Sequence, residues 1–297
     1  MKKIVAITFL ILAFARVWAQ DTVQPAATPE EPTIDYTERT FWGPRIANLQ
    51  SIETNKAGYL GFRVGHRAGR LSTGANNFFG LDEATFRLNF DLGITDWLMM
   101  GVGRSTIQKY YDGYIKGRIL RQSTGKRNMP LSITGFAGMG INSLKWDSDY
   151  PQKYFTSRLA YTFQLIIARK FTNWFSAELV PTLVHRNLVP LAKDKNDVYA
   201  VGAGLQFKVT PRFGLNLEYN YLLPNQIYSQ IGGQTVQNSG SIGLDIYTGK
   251  HVFQIFVTNS TGMTEKQFIT ETTESWLKKG IRIGFNIERT FKLWEKD

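Results

Sequence analysis

Eight stretches of this 297-residue chain alternate apolar and polar residues with a period of two, and that alternation limits the fold more than any other feature. In one, Leu60, Phe62, Val64 and His66 share a parity against Gly61, Arg63, Gly65 and Arg67. In the next, Ala84, Phe86, Leu88, Phe90, Leu92 and Ile94 oppose Glu83, Thr85, Arg87, Asn89, Asp91 and Gly93. Similar runs begin at Phe155, Phe175, Tyr199, Phe213, Ile242 and Ile281, and weaker ones lie near 97–108, 111–122, 130–144 and 251–260. Successive side chains of a strand point to opposite faces, so each run predicts a strand with one apolar and one polar side. About twelve strands result.

The connections sort by length. Thr95, Thr172, Thr210 and Thr248 each begin a tight reversal, in "ITDWL", "FTNWF", "VTPRF" and "TGK", and "TGKRN" at 124–128 supplies one between the first two. The spacings of 38 between the last three are two strands plus one loop, which puts all five turns at one end. Longer polar connections near 70–81, 146–153, 190–197, 224–238 and 261–279 lie at the other, with a short exception at Tyr110–Gly113. An even number of strands with short turns at one end and long loops at the other predicts an all-β, antiparallel up-and-down transmembrane barrel, its short turns periplasmic and its loops extracellular. Trp97, Trp174, Phe213 and Phe291 near the turns, with Tyr111, Tyr154, Tyr199 and Tyr221 near the loops, form two expected aromatic girdles at headgroup level.

Composition agrees with export to a membrane. Lys2 and Lys3, an apolar run from Ile4 to Ala15, and Val17-Trp18-Ala19 predict a signal peptide over 1–19, cleaved after Ala19. That run is shorter than the roughly 20 residues of a membrane-spanning helix. Residues 20–39, with Pro25, Pro29 and Pro32, predict a flexible periplasmic linker. The chain lacks cysteine, which excludes disulfides, a lipidated N-terminal cysteine and thiolate chemistry. Removing Lys2, Lys3 and Arg16 from the formal charge of +11 leaves +8, directed in an exported chain at lipid headgroups or anionic solutes rather than nucleic acid.

The stretches "SIETNKAGYLGFRVGHRAG", "FFGLDEATFRLNFDLGITDWLMMGVGRS" and "YDGYIKGRIL" resemble a family of uncharacterised β-barrel proteins of Bacteroidota outer membranes. The likeness runs from about Thr40 to the C-terminus, with Ala68 standing where an aromatic is more usual. It implies a barrel in the outer membrane, in contact with its lipid, and implies no activity. The last strand's Gly, aromatic and apolar pattern ending at Phe291 suits recognition by the barrel-assembly machinery.

By parity, the lumen is expected to carry Arg63, Arg67, Arg87, Lys116, Arg118, Arg158, Arg186, Lys208 and Arg282 against Glu83, Asp91, Glu178, Glu218, Asp245 and Glu288. Mixed charge suits any water-facing interior, and the excess of cations suits a channel or transporter for small hydrophilic or anionic solutes. A structural or partner-docking barrel with a blocked lumen is the second reading. The third, a lipid-modifying enzyme, needs a nucleophile and a base in contact, yet His66 has outward parity and Ser105 inward parity. No catalytic residue, cofactor or metal is expected; "DKND" at 194–197 lacks a calcium ligand set and "STGK" lacks the rest of a phosphate loop. Residues 40–58 precede the barrel proper at 59–297. There Ile46, Leu49 and Ile52 suggest one face of a short helix, or a plug at the mouth.

Overall fold

The computed structural model describes residues 33–145 and 154–295; the expected signal peptide, residues 20–32 of the linker and the 146–153 connection lie outside them. A short β1 (Ile34–Tyr36) pairs with β6 (Ser123–Gly125). The other twelve strands are β2 (Tyr59–Arg67), β3 (Thr85–Gly93), β4 (Leu98–Ser105), β5 (Tyr111–Leu120), β7 (Ser132–Ile141), β8 (Leu159–Lys170), β9 (Phe175–Arg186), β10 (Asp197–Lys208), β11 (Phe213–Leu222), β12 (Ser239–Tyr247), β13 (His251–Thr258) and β14 (Arg282–Lys292). Each pairs antiparallel with its neighbours, and β14 closes on β2 with Phe285 opposite His66 and Phe291 opposite Leu60. Closure leaves the barrel without a sheet edge.

The alternation has turned the usual partition inside out. On β3, Asn89 and Asp91 are 1% and 2% exposed while Phe90 between them is 43% exposed. Val102, Ile115, Phe163, Leu179, Leu244 and Ile255 are likewise exposed on the outer face. Such a surface is unfavourable in water by roughly 25 cal/mol per Å² and at rest in hydrocarbon. Among the described residues no helix is long and apolar enough to cross a membrane.

Three of the four recurring threonines share one mechanical role, and Thr248 turns the chain through its backbone N–H, which donates to the His251 carbonyl (3.0 Å). The Thr95 hydroxyl accepts from the backbone N–H of Trp97 (3.3 Å) and Leu98 (3.0 Å). Thr172 accepts from Phe175 (3.0 Å), and Thr210 from Arg212 (3.2 Å) and Phe213 (2.9 Å). Each hydroxyl thus satisfies a donor that the reversal leaves free. The connection from β5 to β7 differs, because it carries β6 and an Arg118/Leu120 irregularity in register.

Two long connections shape the interior. That between β13 and β14 folds into helix α1 (Glu265–Thr270), whose Phe268 and Ile269 pack with Val184, Val198 and Ala200 of the inner wall. The segment before β2 forms no helix, in contrast to the expected stripe. It makes a tight reversal in which the Ile46 N–H donates to the Leu49 carbonyl (2.9 Å) and the Ser51 N–H to the Pro44 carbonyl (2.9 Å). A helix is displaced here because side chains of the barrel wall take the backbone groups that its ladder would need.

Candidate functional site inside the barrel

Residues 41–55 lie within the ring of strands, held from many sides. The Glu218 carboxylate on β11 accepts the backbone N–H groups of Ala47 (3.1 Å), Asn48 (2.8 Å) and Leu49 (2.9 Å), together with Asn48 Nδ2 (2.8 Å) and Ser241 Oγ (2.9 Å). From β2, Arg63 donates to the Ala47 carbonyl (2.8 Å) and Gln254 Oε1 (2.9 Å), and pairs with Glu288 at 3.2 Å. Arg67 reaches Asn48 Oδ1 (2.6 Å) and Asn286 Oδ1 (3.0 Å). Lys116 Nζ on β5 donates to the Pro44 carbonyl (2.9 Å), Thr134 on β7 to the Ile52 carbonyl (3.2 Å), and Gln254 on β13 to the Ile46 carbonyl.

The other side of the segment is apolar. Phe41, Ile46, Leu49 and Ile52 form one cluster with Phe136, Ile166, Ala168 and Val180 of β7, β8 and β9. Beside them β10 has no side chain at Gly202 and Gly204. A Cβ at Gly202 would stand 2.8 Å from a Leu49 methyl, and one at Gly204 would collide with Ile46. The two glycines are a seat for the inner segment.

From the loop end, α1 meets the same segment. Arg45 donates to Glu265 at 2.7 Å and to the Asn48 carbonyl at 2.9 Å, and Gln50 Nε2 donates to Glu265 at 2.9 Å. Burial opposes the charge on Glu265, but Arg45 beside it and the Gln50 hydrogen bond prevail, holding its carboxyl below the usual carboxylate range. At the turn end a void of about 160 Å³ separates residues 41–44 and 53–55 from wall residues that include Val252 and Glu288. Deeper in, two voids are small: about 10 Å³ among Arg45, Arg63, Arg67 and Arg87, and about 20 Å³ beside Tyr110 and Tyr114. Each is room for about one water.

Most of the residues expected in the lumen are buried on the inner face: Arg63, Arg67, Arg87, Asp91, Lys116, Glu178, Arg186, Glu218, Asp245, Arg282 and Glu288. Arg118 is half-buried and 3.7 Å from Glu53. Two stand elsewhere, while Lys208 keeps the inward parity at the end of its strand. Glu83 is exposed in a 3-10 turn, because the β2–β3 ladder ends at Arg67 opposite Thr85; it accepts from Asn77 (3.1 Å). Arg158 closes the 3-10 turn Phe155–Arg158 ahead of β8, and its guanidinium donates to the Asn142 carbonyl (2.8 Å). Lys208, half-buried at the turn end of β10, donates to the Arg39 carbonyl.

Parity also missed Asp112, the partner of Arg87 at 2.5 Å, and the partners that lie outside the strands, notably Arg45, Asn48 and Glu265. The aromatic residues Trp97, Trp174, Phe213, Tyr111, Tyr154, Tyr199, Tyr221 and Phe291 are exposed toward the ends of the strands. His66 is exposed on the outer face while Ser105 is buried on the inner one, so they share no site. His185 pairs with Asp197 at 2.6 Å, and Asp194 accepts the N–H groups of Tyr228 (2.7 Å) and Ser229 (3.0 Å), so the acidic pair of "DKND" is engaged within the protein. Among the described residues no three His, Asp or Glu side chains cluster as metal ligands.

A family model described as a membrane-bound beta-barrel domain, DUF5777, matches residues 41–291. The chain belongs to that family. The matched region of this DUF5777 protein therefore includes the inner segment from Phe41 as well as all twelve strands. No curated protein matches the sequence. Among solved structures, the chain is similar to an outer membrane channel from Pseudomonas putida F1 (TM-score 0.48, 11% identity, covering 81% of this chain and 98% of that one). It is also similar to the NanC porin (0.47, 10%, 79% and 100%) and the KdgM porin (0.45, 11%, 78% and 99%).

Proposed function

We propose that this protein is an outer-membrane channel of a Bacteroidota species for small hydrophilic or anionic solutes, with residues 41–55 as a gate in its lumen. On this reading the N-terminus directs export, the barrel-assembly machinery inserts the chain, the short turns face the periplasm and the exposed aromatics lie at headgroup level. The observation that carries the proposal is the way the wall holds the segment. Buried Arg63, Lys116, Glu218 and Gln254 grip its main chain, and main-chain groups are interchangeable with water and solute oxygens. Moving the segment aside would uncover a polar, hydrated lining.

That lining would favour anions. With Asp112 added, strand-borne cations of the inner face (Arg63, Arg67, Arg87, Lys116, Arg118, Arg186, Lys208, Arg282) outnumber the anions (Asp91, Asp112, Glu178, Glu218, Asp245, Glu288). A low-dielectric wall focuses their field on a passing ion. The tight fit in the middle of the lumen, where the voids hold about one water each, favours a second reading, a permanently blocked barrel that serves structure or docking. Planar-bilayer conductance separates the two. Deleting residues 40–55 is expected to convert a mostly silent protein into steady, anion-selective pores, and silence in both forms contradicts the channel.

A further inference from the structure

We propose that the outer face carries a specific site for a phosphate-bearing lipid, one acyl chain lying in a groove across β10, β11 and β12 and its phosphate resting on Lys278 and Lys279. The groove is a cavity of about 410 Å³, within the ~300–1,000 Å³ range of clefts that hold ligands. Register explains its shape. Ala203 pairs with Tyr219 and Tyr219 with Gly240, so a large side chain stands between two small ones across three strands. One row toward the turn end, Leu205, Leu217 and Ile242 line the same hollow. The row lies two residues inside Tyr221, which keeps the hollow within the apolar band of the barrel.

A loop roofs the groove. The turn Trp276–Lys278 is capped by Ser275, whose hydroxyl accepts from the Leu277 N–H (3.3 Å), and Lys279 and Gly280 then return the chain to β14. Trp276 lines the cavity, its Nε1 3.5 Å from where a Cβ on Gly240 would stand. Leu277 is 96% exposed, an apolar side chain with no protein cover, and Lys278 and Lys279 beside it are exposed. Neither lysine takes part in an ion pair among the described residues. Trp276, an uncovered Leu277 and two exposed lysines stand side by side in one turn, the residue types that meet acyl chain, headgroup level and phosphate at a bilayer boundary. Hydrocarbon alone would account for a smooth apolar surface; the hollow and the paired cations together point to one held lipid.

Native mass spectrometry of the full-length protein, delipidated in detergent and titrated with phosphatidylglycerol or acyl-matched phosphatidylcholine, tests the site. The expected result is one retained phosphatidylglycerol, preferred over phosphatidylcholine and not displaced by inorganic phosphate. Lys278→Ala/Lys279→Ala is expected to weaken retention roughly 30-fold, at about fivefold per lysine. Ala203→Trp, which fills the groove from β10, is expected to abolish the single bound lipid, and Gly240→Leu does so from β12 should the first variant fail to fold. Equal binding of the two lipids overturns the phosphate contact. Unchanged retention in a folded groove-filling variant overturns the site.

Discussion

The two halves of the inner wall hold the same segment by opposite means. Around β11–β14 and β2–β5 the grip is polar, with Glu218, Arg63, Gln254 and Lys116 bonded to backbone groups of residues 44–49. Around β7–β10 it is mainly apolar, with Ile46 and Leu49 set against Phe136, Ile166, Val180 and the space left by Gly202 and Gly204, and a side-chain hydrogen bond from Thr134 to the Ile52 carbonyl. The halves differ in what replaces them when the segment leaves. Each hydrogen bond is worth about 0.5–1.5 kcal/mol net to neutral Gln254 and about 1.5–3 kcal/mol to the charged groups, because water takes its place. Exposed apolar surface finds no such substitute and costs roughly 25 cal/mol per Å². In the proposed gate the apolar half therefore sets how firmly the lumen is shut, and the polar half becomes the lining once it opens.

The largest effect is expected from the apolar half. Leu49→Ala should weaken closure by about 2–5 kcal/mol, the usual cost of truncating a buried leucine, and raise open probability in planar bilayers by at least tenfold. A wild-type open probability would remove the apolar half from the account. On the polar side, Glu218→Ala leaves the N–H groups of Ala47, Asn48 and Leu49 without their acceptor, at about 1–3 kcal/mol. Glu218→Gln retains an acceptor oxygen and should cost less. Hydrogen exchange of residues 45–52 measures both, and equal protection in the two variants would show that Glu218 is not the anchor.

A smaller effect follows from pH. Glu265 in the closed arrangement holds its proton less tightly than an ordinary glutamate, so closure binds fewer protons than opening. Its contribution is complete above about pH 4.3 and is lost as pH falls through the lowered value. Open probability should rise on acidification below the ordinary glutamate range, and Glu265→Gln should flatten that rise. The least change is expected from Arg63→Gln in the protein lacking residues 40–55, where the reversal potential in a salt gradient should move toward cations while conductance persists.

The barrel was legible because a membrane enforces alternation on every strand, and because Thr95, Thr172 and Thr210 repeat one turn device at one end. The same parity placed Arg63, Arg87, Glu218 and Glu288 on the inner face. It failed where strands stop. Glu83 and Arg158 continue the pattern on paper, but the ladder ends at Thr85 and β8 starts at Leu159. The contacts of Arg45, Asn48 and Glu265 were illegible for a different reason. They lie outside the strands, in a reversal and at the start of a short helix, whose placement is fixed by partners up to 220 residues away rather than by a local period. One cue was available: Gly202 and Gly204 occupy alternate positions of β10, on the parity that faces inward, which marks a wall approached closely by something else.

A reversible crosslink inside the lumen tests the gate most directly. The chain has no cysteine of its own, and Asn48 Nδ2 lies 3.3 Å from Ser241 Oγ, so Asn48→Cys/Ser241→Cys would fasten the segment to β12. The double variant, recorded in a planar bilayer, is expected to be silent when oxidised and to conduct once reductant is added, with each single variant indifferent to both. Equal conductance of the oxidised and reduced forms, with the disulfide verified by mass, would contradict a gate made of residues 41–55.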